Sequence, residues 1–407
     1  MSLPTLNPAL LISPVENGYV AYDPNTDHLH ELNPLAALIA ELCDGKRTIE
    51  QIREIVSPLL PEGQDVEVDR WIEEAAKSRI VIFDQGSDGQ RELSADELAK
   101  LAFRLSEHGK VRTAFLCQKR AAELAPDQPR NWYDLAELAY QLGRRDEARA
   151  DYEKYLELMP DDAEIQHLLV ALRNEPPPPR VPDKAIQQMY DQFAATFEAN
   201  LIGDLKYRGP EGLLQAMQGV IGERRQFTIL DIGCGSGLAG VCFKPLAAGL
   251  VGIDLSSEML ALARARDIYD RLEVSEITEW LTRSTETFDL IISCDCLIYF
   301  GDLAQVVKPA ARLLRPGGIL GFTLERGDRH PYHLTDSGRY AHHAEHVREV
   351  AAESKLNVAR LEEGFLRTEY GVEVMGLYVV LEKDAEKNSG SDDEQRFKAA
   401  GSGVQSN

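Results

Sequence analysis

Apolar and polar positions alternate near the start of the chain. The alternation covers residues 10–12, 18–22 and 28–32 and predicts three short strands, with a hairpin turn at residues 24–27. Apolar residues then recur at helical spacing, which predicts three helices and, after them, a final strand at residues 80–83. Three strands and three helices in such a short stretch predict a small winged-helix-like module.

A repeat with a period of 34 residues follows this module. Three residue pairs separated by that interval carry it: Gly109 and Gly143, Ala114 and Ala148, and Pro126 and Pro160. Such a period, with small residues where helices cross, is the tetratricopeptide signature. Residues 163–173 then predict a capping helix, and the prolines at residues 176–179 predict a stiff linker.

From residue 183 onward, apolar strands alternate with helices, which predicts an α/β sheet. The last residues are rich in Ser, Gly and Asp and predict a disordered tail. The predicted fold class is therefore multidomain, with α+β and α/β parts. The predicted boundaries are residues 1–88 for the winged-helix-like module, 93–175 for the helical repeats, 176–182 for the linker, 183–384 for the α/β domain and 385–407 for the tail.

Composition and charge exclude several classes of protein. The chain has 407 residues and a formal net charge of −23, which disfavours a nucleic-acid partner because phosphate binding requires a basic surface. No apolar run approaches the roughly 18 residues that a membrane-spanning helix needs, and the N-terminus lacks the layout of a secretory signal. Six cysteines without a disulfide pattern indicate a reducing compartment, so we expect a cytoplasmic protein with no membrane partner. The sequence leaves the oligomeric state open.

The chemistry centres on a glycine-rich turn. The strand at residues 227–230 runs into a DxGxGxG motif made of Asp231, Gly233, Gly235 and Gly237. Glycines at a strand-to-helix turn let the backbone approach a ligand and adopt positive φ. Asp254 ends the next strand, at the position where such folds bind ribose hydroxyls, and Glu276 can accept a hydrogen bond from an adenine amino group.

With these motifs in this order, residues 183–384 resemble the class I S-adenosylmethionine-dependent methyltransferases, which have a Rossmann-like, seven-stranded mixed sheet. The resemblance implies S-adenosylmethionine as the cofactor and no metal. The implied cofactor-binding residues are Asp231, Gly233, Gly235 and Gly237 in the loop, Asp254 and Leu255 at the ribose, Glu276 and Ile277 at the adenine, and the backbone of Cys294. A dehydrogenase that uses NAD is the alternative. The DxGxGxG spacing and the Pro-Gly-Gly turn at residues 316–318 count against it.

A closer resemblance is to predicted methyltransferases that carry an N-terminal tetratricopeptide segment. Four segments carry it, at residues 190–197, 205–208, 297–303 and 337–342. The resemblance implies that the first two segments lie over the cofactor. Tyr190, Phe193 and Tyr207 are then candidates to cap it, and Lys206 or Arg208 to pair with its carboxylate. Plain helix packing is the alternative for the three aromatic residues.

The acceptor side is predicted from the polar insert that follows the fifth strand of the α/β domain. The candidate catalytic residues are Asp295 at the acceptor mouth and Arg339, Tyr340 and His342 in the insert. If the reaction needs a general base, we expect His342 to be that base. A solvated polar loop is the alternative, and Arg367 and Glu369 are weaker candidates. The cationic, histidine-rich insert favours an oxygen acceptor, with a carboxylate as one option.

The front module, over residues 18–83, resembles the PqqD-like proteins, also called RiPP recognition elements. The turn at residues 44–48, with apolar residues on both sides, carries much of the resemblance. In that family the module binds the leader of a ribosomally made precursor peptide, which adds a strand beside the third strand. The implied peptide-binding residues are Leu29, His30, Glu31, Leu32 and Trp71. A scaffold without a peptide ligand and a DNA reader are the alternatives, and the acidic third helix disfavours DNA.

Together the segments predict a methyltransferase that modifies a precursor peptide after its leader has been recognised. A methyltransferase for a small metabolite, docked to a protein through its front modules, is the second hypothesis. A non-enzymatic scaffold is the third, and it is disfavoured because the glycines and the acidic residues of the cofactor motif are all present.

Overall fold

The computed structural model describes residues 3–15, 18–60, 66–83, 93–193, 206–369 and 371–385. The chain forms two compact units, Met1–Asp161 and Asp162–Asn407. The predicted tail from residue 386 onward lies outside the described residues. None of the helices in the described ranges is long and apolar enough to cross a membrane.

The first unit begins with an antiparallel sheet in the order β2–β3–β4 and a separate pair, β1–β5. Local capping explains where its helices start. The Asn33 side chain accepts a hydrogen bond from the backbone N–H of Ala36, and Thr48 and Gln51 form a capping box. The elements are β1 (Pro4–Leu6), β2 (Leu11–Val15), β3 (Gly18–Asp23), β4 (His28–Leu32), α1 (Pro34–Leu42), α2 (Ile49–Val56), α3 (Val66–Lys77) and β5 (Val81–Phe83).

The helical repeats complete the first unit as four helices. Gly109 and Gly143 end the first helix of each pair with the same φ of 72°, a conformation that favours glycine. Ala114 and Ala148 are fully buried where the helices cross. The 34-residue period is therefore a period of structure as well as of sequence. The helices are α4 (Ala95–Glu107), α5 (Val111–Leu124), α6 (Pro129–Gln141) and α7 (Arg145–Leu158).

The second unit is built on a mixed sheet in the order β13–β14–β10–β9–β6–β7–β8, as predicted for the fold class. A short hairpin, β11–β12, adds two strands at the end of β10. The helices are α8 (Ala163–Leu172), α9 (Asp183–Phe193), α10 (Gly209–Ile221), α11 (Leu238–Phe243), α12 (Ser257–Ala265), α13 (Ile277–Arg283), α14 (Ala304–Leu313) and α15 (Ala344–Glu353). The strands are β6 (Phe227–Ile232), β7 (Ala247–Asp254), β8 (Arg271–Val274), β9 (Phe288–Ser293), β10 (Leu314–Arg326), β11 (Tyr332–Leu334), β12 (Tyr340–His342), β13 (Leu356–Glu369) and β14 (Val372–Lys383).

Helix α8, which the sequence assigns to the repeat segment, lies within the second unit. Its first residue, Ala163, belongs to the same apolar core as Val181 and Ala185. The proline-rich segment before α9 is also held by hydrogen bonds. The backbone N–H of Gly301 donates to the Pro179 carbonyl at 2.9 Å, and that of Val181 donates to the Tyr299 carbonyl at 2.8 Å.

Candidate active site

The DxGxGxG loop connects the carboxyl end of β6 to α11. The backbone N–H groups of Gly233 and Cys234 both donate to the Ile253 carbonyl, at 2.8 and 3.0 Å, and this fixes the loop on β7. Gly233 has a φ of 66°, and a Cβ atom built on it would lie 2.2 Å from Cys296 Sγ. Gly235 (φ 53°) and Gly237 (φ 90°) also lie in the left-handed region. The loop therefore presents backbone where side chains would collide.

Asp254, at the end of β7, holds this loop through hydrogen bonds to its carboxylate, an arrangement that we call the Asp254 clasp. One carboxylate oxygen accepts a hydrogen bond from the Gly235 N–H at 2.8 Å, and the other accepts one from the Ser256 N–H at 2.9 Å. Burial raises the pKa of Asp254, and these backbone hydrogen bonds oppose the rise. Each oxygen keeps a lone pair for a ligand hydroxyl, which fits the role at the ribose that the resemblance implies.

Asp231 has a buried carboxylate oxygen without a protein partner. Its Oδ2 accepts a hydrogen bond from the Tyr269 hydroxyl at 2.7 Å, whereas Oδ1 has no partner among the described residues. Burial raises the pKa of Asp231 to about 7. An orphaned buried acceptor is costly, so a ligand that brings a cationic amino group would stabilise it. S-adenosylmethionine carries such a group.

Glu276 and Ile277 lie at the start of α13. The two Glu276 oxygens accept hydrogen bonds from the Thr278 N–H at 2.9 Å and hydroxyl at 2.5 Å, and from the Glu279 N–H at 2.8 Å. Arg180 Nη1 also donates to Glu276 Oε1 at 2.8 Å. Four hydrogen bonds use the acceptor capacity of the carboxylate, so the geometry favours helix capping over the expected adenine contact. Ile277 is buried beside Gly233, where it can line the site.

Helix α9 lies against the loop that follows β7. Ser256 Oγ donates to Asp191 Oδ1 at 2.7 Å, and Gln187 Nε2 lies 3.4 Å from the Leu255 carbonyl. On the same helix, the Tyr190 hydroxyl lies 2.8 Å from the Tyr299 hydroxyl. The helix therefore places Tyr190 against the segment that follows β9, and its capping of the cofactor stays a prediction.

The other residues predicted to lie over the cofactor differ in their burial and contacts. Tyr207 is partly buried, and burial followed by the charge of Asp295 raises its pKa. The Lys206 and Arg208 side chains are exposed, and Arg208 anchors its segment through a backbone N–H that donates to the Leu366 carbonyl at 2.9 Å. The Phe193 side chain lies outside the described residues.

A buried group of charges, which we call the acceptor-mouth network, joins five residues: Asp295, Glu325, Arg339, Arg367 and Glu369. The Arg367 side chain is only 2% exposed. Arg367 Nη1 donates to both oxygens of Asp295, at 2.7 and 2.9 Å, its Nε donates to Glu369 at 2.7 Å, and its Nη2 donates to Glu325. Arg339 forms ion pairs with Glu325 and Glu369. The sequence analysis did not name Glu325, and it gave Arg367 and Glu369 only as weaker candidates.

Asp295 connects this network to the cofactor loop. It has a φ of 54°, and its N–H donates to Thr323 Oγ1 at 2.8 Å. Burial raises the pKa of Asp295, and Arg367 opposes the rise. Its neighbours Cys294 and Cys296 pack into two different apolar clusters, so this segment crosses the edge of the sheet beside Gly233.

The structure does not support His342 as a general base. The side chain is fully buried, its Nε2 lies 3.3 Å from the Gly301 carbonyl, and its ring stacks on His346 with centroids 6.2 Å apart. Burial lowers the pKa of His342 to about 3, which makes it too weak a base near neutral pH. The Tyr340 hydroxyl donates to the Pro178 carbonyl, a structural contact. Of the three predicted residues of the insert, Arg339 alone lies in the acceptor-mouth network.

The residues predicted to bind a peptide lie on β4 and α3. Among the described strands, β4 pairs with β3 alone, so its outer edge is open. Leu29 is 37% exposed, Glu31 is exposed and Leu32 is buried in the core of the module. His30 packs edge-on against His28, and Trp71 on α3 is half-buried.

Models of three protein families match separate parts of the chain. They are a methyltransferase domain at residues 230–322, a tetratricopeptide repeat at residues 101–173, and coenzyme PQQ synthesis protein D at residues 18–81. The second unit carries a class I methyltransferase domain. The composite architecture predicted from the sequence is thereby confirmed. S-adenosylmethionine is the cofactor of this domain class, and the glycine loop, Asp254 and the orphaned Asp231 oxygen fit it.

Curated relatives and solved structures resemble this methyltransferase domain. Malonyl-(acyl-carrier protein) O-methyltransferase of Enterobacter lignolyticus is 28% identical over 153 residues, which are 38% of this chain and 58% of that protein. Ubiquinone biosynthesis O-methyltransferase of Xanthomonas oryzae is 30% identical, over 23% of this chain and 40% of that protein. The N-methyltransferase NodS of Bradyrhizobium japonicum is 19% identical with a TM-score of 0.40, over 48% of this chain and 97% of that structure. The chain spans about half the length of the curated relatives it matches.

Proposed function

We propose that the protein transfers a methyl group from S-adenosylmethionine to a peptide that its front module captures. The hydrogen bonds of Asp254 at the glycine loop support the first half of this proposal, because they set two carboxylate oxygens with free lone pairs beside exposed backbone of that loop. The open edge of β4 carries the second half, because an exposed strand edge can accept an added strand.

The residues of the methyltransferase domain bind and orient the two substrates. Bound S-adenosylmethionine supplies a methyl group on a positively charged sulfur. Asp254 would hold the ribose hydroxyls and Asp231 the amino group, while Tyr190 covers the site. Methyl transfer requires an acceptor lone pair aligned with the methyl group, so holding the acceptor in place accounts for much of the expected rate.

For the acceptor we propose an oxygen atom, and two curated relatives named as O-methyltransferases support this choice. The carboxylate option rested on a cationic insert. Arg339, however, is already paired with Glu325 and Glu369, and burial keeps His342 neutral. Both guanidinium groups of the acceptor-mouth network are thus already paired among the described residues, which favours an uncharged oxygen as the acceptor. Asp295 is the carboxylate at the mouth that can accept its proton.

Replacing Asp254 with alanine should weaken binding of S-adenosylhomocysteine by at least about tenfold. The change removes the acceptor of two ribose hydroxyls, at about 1–3 kcal/mol for each group left unpaired. Isothermal titration calorimetry measures the affinity. Asp270→Ala is the matched control, because Asp270 also accepts a backbone hydrogen bond from β7, at Leu250 (2.7 Å), but in the middle of that strand. Equal affinities for the two variants would remove Asp254 from the site.

Deleting residues 1–85 should leave cofactor binding intact and lower turnover of a full-length precursor by about 100-fold, because the tether that concentrates the acceptor is lost. The probe is a candidate precursor peptide encoded beside the gene, compared with the same peptide without its leader. Unchanged turnover of the full-length precursor would instead support the metabolite hypothesis.

Two proline variants refine this experiment. Successive N–H groups of a strand point to opposite sides, and proline has no N–H group. One of the two variants Leu29→Pro and His30→Pro therefore removes a hydrogen-bond donor from the open edge of β4. The other removes a donor that pairs β4 with β3. The first should lose leader-dependent turnover with little change in thermal stability, whereas the second should also destabilise the module. If neither variant lowers turnover of the precursor, the leader does not add to β4.

A further inference from the structure

The charges of the acceptor-mouth network do not cancel. Its three carboxylates belong to Asp295, Glu325 and Glu369, and its two guanidinium groups belong to Arg339 and Arg367. Three negative and two positive charges leave one excess negative charge. Within the described part of the chain, no third cation forms an ion pair with these carboxylates.

One carboxylate of the network, that of Asp295, lies in a segment beside the cofactor loop. Asp295 is adjacent in the chain to Cys296, whose Sγ lies 2.2 Å from the position of a Cβ built on Gly233. The family resemblance implies that Gly233 and Gly235 lie along the methionine part of the cofactor. Arg367 is almost fully buried and Glu325 is buried, so little water screens the network. Attraction between charges is stronger in such a poorly hydrated site than in water.

We propose that the acceptor-mouth network recognises the positive charge on the cofactor sulfur and so distinguishes the methyl donor from its demethylated product. S-adenosylmethionine carries a sulfonium, whereas S-adenosylhomocysteine carries a neutral thioether. An excess negative charge nearby attracts only the first. The site therefore binds the donor more tightly and releases the product after transfer. This inference rests on the proposed use of S-adenosylmethionine, and it assigns Glu325, Glu369 and Arg339 a role in cofactor selectivity.

The test is the ratio of two dissociation constants, for S-adenosylhomocysteine and for S-adenosylmethionine, measured by calorimetry on the full chain. We expect the wild type to favour S-adenosylmethionine by about tenfold, the effect of one unit charge about 12 Å away at an effective dielectric constant near 20. Glu369→Gln removes the excess negative charge and should bring the ratio close to one. Arg339→Gln adds a second excess negative charge. It should raise the ratio above that of the wild type by about tenfold, the same factor as for the first excess charge.

Two further variants separate charge from structure. The double variant Glu369→Gln/Arg339→Gln keeps one excess negative charge and should return the ratio to within about twofold of the wild type. Glu363→Gln is the matched control on β13, because Glu363 is exposed and pairs with Arg326 outside the network. It should leave the ratio unchanged.

The outcomes distinguish this inference from the proposed function. A wild type that binds neither compound contradicts the proposed function. A wild type that binds both but favours S-adenosylhomocysteine overturns the inference alone. The same holds if Glu369→Gln and Arg339→Gln shift the ratio in the same direction, since a purely structural defect would do that. Should one single variant fail to fold, the wild-type preference and the other single variant still decide the question.

Discussion

Gly233→Val should abolish binding of both S-adenosylmethionine and S-adenosylhomocysteine. A Cβ on Gly233 would lie 2.2 Å from Cys296 Sγ and 2.7 Å from Cys296 Cβ, closer than nonbonded atoms approach. The φ of 66° adds strain, because a β-branched residue rarely adopts the left-handed conformation. The loop must therefore shift, and the Asp254 clasp shifts with it. Calorimetry should detect no binding, a loss of at least about 1000-fold, or roughly 4 kcal/mol.

Two glycine variants serve as controls for this result. Gly222 has a similar φ of 57° with open space around it, so Gly222→Val tests backbone strain without a collision at the site. At Gly235 an added Cβ would meet only Met259 Cε, at 3.5 Å, so Gly235→Ala should be milder than Gly233→Val. Binding by Gly233→Val within tenfold of the wild type would mean that the cofactor does not follow this loop.

Arg367→Met should destabilise the methyltransferase domain by about 3–5 kcal/mol. Removing one partner of a buried ion pair leaves its counter-charge uncompensated, and Arg367 contacts three carboxylates at once. Hydrogen exchange of the β9 and β10 amides measures the loss in this unit without a contribution from the helical repeats.

Arg360→Met is the control for this prediction, because Arg360 lies on the same strand, is half-exposed and pairs weakly with Glu362 at 3.9 Å. It should change stability by no more than about 0.5 kcal/mol. If Arg367→Met lowers the free energy of unfolding by less than about 1 kcal/mol, the carboxylates of the network become hydrated or protonated once the guanidinium is removed.

Much of the architecture could be predicted because its signals are local. The Asn33 and Thr48 caps set where helices begin through contacts within three residues, and both form as their sequence spacing requires. The 34-residue period fixed the repeats because each helix pair buries the same small residues. The DxGxGxG motif predicted the glycine-rich loop, since glycine adopts positive φ at little steric cost and three positions of this short turn have it.

The roles of the candidate residues depended on contacts that the sequence does not reveal. Glu276 caps the start of α13, and Arg180, far away in the chain, uses its remaining acceptor capacity. His342 sits in a polar insert, yet the pairing of β12 with β10 buries it and lowers its pKa. Neither outcome follows from the residue types near these positions.

Sequence alone determined which segments of this protein form helices, repeats and a glycine-lined cofactor loop, because hydrogen bonds and side-chain faces within a segment leave a periodic pattern. Only the tertiary structure decided which charges meet at the acceptor mouth. Asp295, Glu325, Arg339 and Arg367 come from four segments of the second unit, and the order β13–β14–β10–β9 together with the insert brings them into contact. Strand order depends on how whole faces of the sheet are buried. A buried guanidinium then pairs with the carboxylates that lie close to it in space, whatever their separation in the sequence.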